Sequence, residues 1–188
     1  MPLNWPNLLT WLRILMIPVF LVVFYFPDTW LSGPQKNLTA TALFGLASLT
    51  DWLDGYLART LNQTSAFGAF LDPVANKLVV VAALIVLLKL GRVDMVVGLI
   101  IIGREIAISA LREWMARVGQ SKSVAVAFIG KVKTVGQMIA IPMLLFDGML
   151  FGIVDCQWTG TILINIAAVL TVVSMLYYMR RAMPHASG

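Results

Sequence analysis

The stretch Ser48–Asn76 reads SLTDWLDGYLARTLNQTSAFGAFLDPVAN. It sets Asp51, Asp54 and Asp72, together with Arg59, inside a chain whose residues are 60% apolar. Asp51, Asp54 and Ala58 are spaced i, i+3, i+7, while Gly68, Asp72 and Asn76 are spaced i, i+4, i+8. On helices, each set shares one face. The polar connection TLNQTSAF is short, so the two helices are expected to be antiparallel neighbours. Two polar stripes would then face each other across one cleft, near one end of both helices.

The rest of the chain says what kind of cleft this is. Only 12% of the 188 residues are charged, and the mean hydropathy is +0.87. Such a composition, gathered into long apolar runs, predicts an all-α polytopic membrane protein. Six runs are expected to span: Leu8–Phe26, Leu38–Leu61, Gly68–Leu90, Asp94–Trp114, Phe128–Leu150 and Trp158–Met179. Residues 1–188 are read as a single transmembrane domain, a six-helix bundle. There is no internal repeat, which argues against a repeat transporter. No Lys or Arg precedes Arg13, so the first run reads as a retained span rather than a signal peptide. The lone Cys156 excludes an intrachain disulfide, and the lone His185 reads as a solvated tail residue.

Charge then orients the bundle. Arg59, Arg112, Arg117, Lys122, Lys131, Lys133, Arg180 and Arg181 fall on one side of the expected membrane, and Lys36, Lys89 and Arg92 on the other. The positive-inside rule makes the first side cytoplasmic, with both termini and the cleft. Trp5, Trp30, Trp114 and Trp158 fall at span ends, as an interfacial aromatic belt requires. The net charge of +5 points to anionic headgroups or soluble anions as partners, and away from nucleic acid.

Three carboxylates converging in a low-dielectric cleft repel one another unless a cation neutralises them. Two arrangements do so. In one, Arg59 and Lys77 form structural salt bridges with the acids. In the other, the hard oxygen ligands hold Mg²⁺, Mn²⁺ or Ca²⁺, and the small residues Gly55, Ala58 and Gly68 let a bulky group approach the backbone.

The full pattern, Asp51-x2-Asp54-Gly55-x2-Ala58-Arg59-x8-Gly68-x3-Asp72-x3-Asn76, resembles the signature of the CDP-alcohol phosphatidyltransferases. Seven of that signature's eight fixed positions match, and the six-span layout extends the likeness over the whole chain. The segments NLLTWLRI, REIAISALREWMA and GKVKT look most like the bacterial members that use glycerol-3-phosphate. The resemblance implies transfer of the phosphatidyl group from CDP-diacylglycerol to sn-glycerol 3-phosphate with release of CMP, in a bacterial inner membrane, by a homodimer. It also implies two divalent cations, Mg²⁺ or Mn²⁺, held by Asp51, Asp54, Asp72 and the last motif position. For the CDP-lipid it points to Asp51, Gly55, Ala58, Arg59 and Gly68, with Asn7, Thr10 and Arg13 of the first span as further contacts.

The departure is at that last position. The family has a fourth aspartate, which helps hold the second metal and takes the proton from the attacking hydroxyl; this chain has Asn76. An amide offers an oxygen to a metal but is no base at neutral pH. The chain is therefore expected to bind substrate and turn it over poorly, with Asp72 beside Asn76 as the remaining catalytic candidate.

For the acceptor, Arg104 and Arg112 recur at i, i+8 in an apolar span, and Lys131, Lys133 and Thr134 open the next span on the same membrane side. Such clustering suits the phosphate of glycerol-3-phosphate; the plainer alternative pairs Arg112 and Lys133 with Glu105 and Glu113 or with lipid headgroups. Two other functions stay open: a family member with a different acceptor alcohol, and a divalent-cation transporter, whose acids would lie near the bilayer midplane.

Overall fold

The computed structural model describes residues 5–60, 66–117 and 128–182. They form six helices: α1 (Trp5–Val22), α2 (Gly33–Thr60), α3 (Ala66–Lys89), α4 (Met95–Arg117), α5 (Phe128–Phe146) and α6 (Cys156–Ala182). A single 3-10 turn, Val23–Tyr25, extends α1. His185 and the loop positions Leu61, Lys122 and Asn62 lie outside the described residues.

Local chemistry sets the helix ends. At the start of α2, the Gln35 side chain accepts hydrogen bonds from the Ser32 backbone N–H (2.9 Å) and from its hydroxyl (3.1 Å), and Pro34 sits in the first turn, where its missing N–H is harmless. Asp94 caps α4 by accepting from the Val96 N–H, and Asp155 caps α6 by accepting from that of Trp158. Gly91, at φ +69°, closes α3 in a Schellman turn: its N–H donates to the Leu88 carbonyl and that of Arg92 to the Leu87 carbonyl. The fifth run ends earlier than expected. Helix α5 stops at Phe146 because Asp147 adopts φ +51°, and a two-residue hairpin, Met149–Leu150 with Val154–Asp155, leads into α6.

Among the described residues, three helices are long and apolar enough to cross a membrane by length and composition, over Asn7–Tyr25, Phe70–Lys89 and Cys156–Tyr177; α5 contributes a shorter apolar run, Thr134–Phe146. Helices α2 and α4, at 28 and 23 residues, have the length but carry the charges. Those of α2 include Asp51 and Asp54, and those of α4 include Arg104, Glu105 and Arg112. Large apolar side chains such as Leu15, Phe70, Leu99, Ile106 and Val169 face outward, while Ala40, Ala75, Ala83 and Ala140 are wholly buried. Small residues at helix contacts together with many large apolar side chains facing outward are the mark of helices packed in lipid. This is an all-α membrane protein.

Helices α5 and α6 form the most extensive pair, and a Cβ on Gly160 would stand 2.8 Å from Leu144 Cγ. The apolar core joins Phe20, Phe44, Ala83, Leu84, Leu87, Ile101, Ile141, Leu144 and Ile164. Beyond it, Arg92 ties the end of the bundle. It donates to the carbonyls of Leu144 (3.1 Å) and Leu145 (3.0 Å) and to Asn37 Oδ1 (3.1 Å), and pairs with Asp147 at 2.7 Å. Burial lowers the Arg92 pKa, and the Asp147 carboxylate opposes that shift.

Helices α2 and α3 are neighbours, as expected, and their polar stripes meet directly: Asn76 of α3 donates to Asp51 of α2. Each also packs, more extensively, on α1.

Candidate metal and substrate site

Asp54 lies six positions before Thr60, the last residue of α2, and Asp72 six positions after Ala66, the first of α3. Each is therefore about 9 Å from its helix end, and the acids sit toward one end of the bundle, away from its middle. Asp51, Asp54 and Asp72 each offer a carboxylate oxygen, and these oxygens lie within 4.8 Å of one another. Asp54 is buried, whereas Asp51 and Asp72 are about one-third exposed (38% and 35%).

The cation among them comes from α1. Arg13, at 0% exposure, places Nη1 3.3 Å from Asp51 Oδ1 and 3.5 Å from Asp72 Oδ1, and Nη2 pairs with Asp54 Oδ2. Its Nη1 also donates to Asn76 Oδ1 at 2.7 Å. Thr10, one turn earlier on α1, donates to Asp72 Oδ1 at 2.9 Å, and Asn7 is buried on the same side of that helix. The stripe Asn7, Thr10, Arg13 at i, i+3, i+6 thus faces inward while Trp11, Leu12 and Leu15 face outward.

The salt-bridge arrangement expected from sequence is corrected at Lys77. Its ammonium donates to the Ser109 hydroxyl, which in turn donates to the Glu105 carbonyl at 2.5 Å; it links α3 to α4 rather than neutralising the acids. The side chains of Arg59 and Ala58 lie outside those described, as do those of Arg112, Lys131 and Lys133. Gly55 and Gly68 are half-buried on the helices that carry the acids.

Asn76 uses both ends of its amide. The oxygen accepts from Arg13, and Nδ2 donates to Asp51 Oδ1 at 2.5 Å. A carboxylate could take the first part but not the second.

Beside this cluster is a cavity of about 270 Å³ lined by Arg13, Ser48, Asp51, Asn76, Thr134 and Met138, among others. Of the residues expected at the acceptor, the structure brings Thr134 here. Arg104 is not in its lining: it is buried and pairs with Glu105 at 2.9 Å. Ser48 was overlooked. It stands one turn before Asp51 on the same face, a polar residue in an apolar helix, and that position was the available signal.

The donor set suits a divalent cation. All the clustered ligands are hard oxygens, and Asp54 Oδ1, buried on a residue 1% exposed, has no hydrogen-bond partner. Such an orphan is costly unless something positive can reach it.

A sequence model of the family described as CDP-alcohol phosphatidyltransferase matches residues 3–176. The chain belongs to the CDP-alcohol phosphatidyltransferases. This phosphatidyltransferase is 45% identical over 184 residues to the CDP-diacylglycerol–glycerol-3-phosphate 3-phosphatidyltransferase of Escherichia coli (strain K12), a match covering 97% of this chain and 96% of that relative. The protein of the same description from Shigella flexneri serotype 5b (strain 8401) gives the same figures.

Proposed function

We propose that this phosphatidyltransferase transfers the phosphatidyl group from CDP-diacylglycerol to sn-glycerol 3-phosphate, releasing CMP, and that Asn76 slows it. The observation that carries the reading is the meeting of Asp51, Asp54 and Asp72 within 4.8 Å, in a chain that matches relatives of this activity along nearly its full length.

Attack of an alcohol on a diphosphate requires charge neutralisation, alignment and a proton acceptor. Asp51, Asp54, Asp72 and Asn76 would hold two divalent cations, Mg²⁺ or Mn²⁺, which would supply charge neutralisation at the diphosphate. Asn7, Thr10, Arg13, Gly55, Ala58, Arg59 and Gly68 surround the CDP-lipid, the glycines admitting it close to the backbone. Arg112, Lys131, Lys133 and Thr134 receive the glycerol phosphate, with Arg104 supporting them from within the bundle. Asn76 aligns its neighbours through Arg13 and Asp51 but accepts no proton.

All six helices span a bacterial inner membrane in this reading, with both termini and the acid end of the bundle on the cytoplasmic side, and two copies form a homodimer. The position of the acids near helix ends, and not at mid-depth, favours chemistry at the membrane surface over ion transport. The test is CMP release from labelled CDP-diacylglycerol in the presence of Mg²⁺ or Mn²⁺, with glycerol-3-phosphate, inositol or serine offered in turn to the chain and to Asn76→Asp. Product with glycerol-3-phosphate alone is the expected result. Preference for another alcohol would reassign the acceptor.

A further inference from the structure

Arg13 reaches every acid of the cluster and the amide of Asn76. The arrangement is nevertheless incomplete. Arg13 Nε and Asp54 Oδ1 are both buried without a hydrogen-bond partner, and among the described residues one guanidinium faces the three carboxylates. Unmet polar atoms and uncompensated charge in a low-dielectric interior are both unfavourable. The carboxylates that Arg13 engages are also the ligands on offer to a metal, and a guanidinium and a dication held between the same three acids would repel each other across a few ångströms.

We infer that Arg13 and divalent metal are alternative occupants of the Asp51–Asp54–Asp72 cluster, so that metal loading expels the Arg13 guanidinium from between the acids. The inference rests on the reading of these acids as metal ligands. The expelled side chain has somewhere to go, because the cavity of about 270 Å³ that Arg13 already lines runs past Ser48, Asp51, Asn76 and Thr134. There its planar fork suits an anionic phosphate. Metal entry therefore turns Arg13 from an internal counter-ion into a group available to substrate, which makes metal and phosphate binding mutually reinforcing. Asn76 fastens the arginine-filled arrangement from both sides, accepting from Arg13 and donating to Asp51. A carboxylate at that position would lose the second bond and favour the metal.

The experiment is Mn²⁺ binding without substrate, read from the free-Mn²⁺ electron paramagnetic resonance signal of the full chain in detergent, for the parent, Arg13→Gln, Arg13→Lys and Asp54→Asn. Removing a competing charge should tighten Mn²⁺ binding in Arg13→Gln by roughly 5- to 150-fold. Arg13→Lys, which keeps the charge, should stay near the parent, and Asp54→Asn should weaken binding. Unchanged or weaker binding in a folded Arg13→Gln overturns the inference. Absence of Mn²⁺ binding in the parent and all variants removes the metal reading, and the inference with it.

A second measurement guards against a misfolded glutamine variant. In ¹⁵N-arginine-labelled parent protein, the Arg13 Nε–H signal is identified as the one missing from Arg13→Lys, and its burial should make it exchange slowly without metal. Mg²⁺ should make it exchange quickly; a signal that stays protected at saturating Mg²⁺ shows that the guanidinium does not leave.

Discussion

Asn76 Nδ2 donates to Asp51 Oδ1 across 2.5 Å, joining the last position of the acid motif to its first. An aspartate at position 76 would turn that hydrogen bond into a contact between two carboxylates. In Asn76→Asp the metal-free protein should therefore be less stable than the parent, and Mg²⁺ should raise its melting temperature by more than it raises the parent's. Turnover should rise by about 10²–10⁴, the usual contribution of a general base, measured as CMP release at equal protein. Equal rates in the two proteins would leave Asp72 as the next candidate for the base.

Arg112→Ala and Lys133→Ala, made in the Asn76→Asp background, should impair use of glycerol-3-phosphate by roughly 10- to 150-fold while sparing CDP-diacylglycerol binding, since a charge-assisted phosphate contact contributes about 1.5–3 kcal/mol. Separate titrations of the two substrates decide the matter. Loss of donor binding with acceptor affinity intact would mean that the two pockets are reversed.

Gly160 packs where a Cβ would lie 2.8 Å from Leu144 Cγ and 3.3 Å from the Ala140 carbonyl oxygen. Gly160→Ala should destabilise the α5–α6 pair by about 1–3 kcal/mol. Leu144→Ala in the same chain should recover part of that loss, so the double-mutant cycle, followed by thermal unfolding in detergent, should be non-additive. Additive effects would show that the two residues do not share the contact.

Arg92→Ala removes three hydrogen bonds and an ion pair from a side chain 14% exposed. A loss of about 2–4 kcal/mol is expected, since Asp147 and the carbonyls ending α5 are left without their cation. Arg92→Lys should recover little, because one ammonium cannot reproduce the fork. The readout is the unfolding midpoint. Activity per folded molecule should be unaffected, the acids being at the other end of the bundle.

Single cysteines placed at positions 118–125 or after Arg180, in a Cys156→Ser background, should resist membrane-impermeant thiol reagents on intact cells. The basis is the excess of basic residues on that side, eight against three. Ready labelling from outside inverts the topology.

The opening stretch carried much of this in its spacing. The i, i+3 and i, i+4 intervals put Asp51, Asp54 and Asp72 on helix faces that do converge, and each of the six apolar runs overlaps a described helix, three of them long and apolar enough to cross a membrane. Arg13 was legible as a polar residue in an apolar run but not as the partner of acids 38 to 59 residues away. That pairing depends on α1 standing against both α2 and α3, and local periodicity says nothing about which helix stands against which. Lys77 misled for the converse reason. Its place one residue after Asn76 suggests a shared cluster, but a step of one residue turns it about 100° around the helix, and it reaches Ser109 on α4. The hairpin after α5 was missed because its turn depends on positive φ at Phe151 and Gly152, and phenylalanine gives no warning of that.

The Arg92 tie has a mechanical meaning. It fixes α2, α5 and the α3–α4 turn to one another at one end of the bundle, while Asp72 lies seventeen positions, about 26 Å, before Lys89, the last residue of α3. Arg13 does the corresponding work at the acid end, where it joins α1 to α2 and α3. Two arginines thus divide the labour of the bundle: one holds helix ends together, the other stands among the groups that do the chemistry, and a change at the first is felt as stability rather than as turnover.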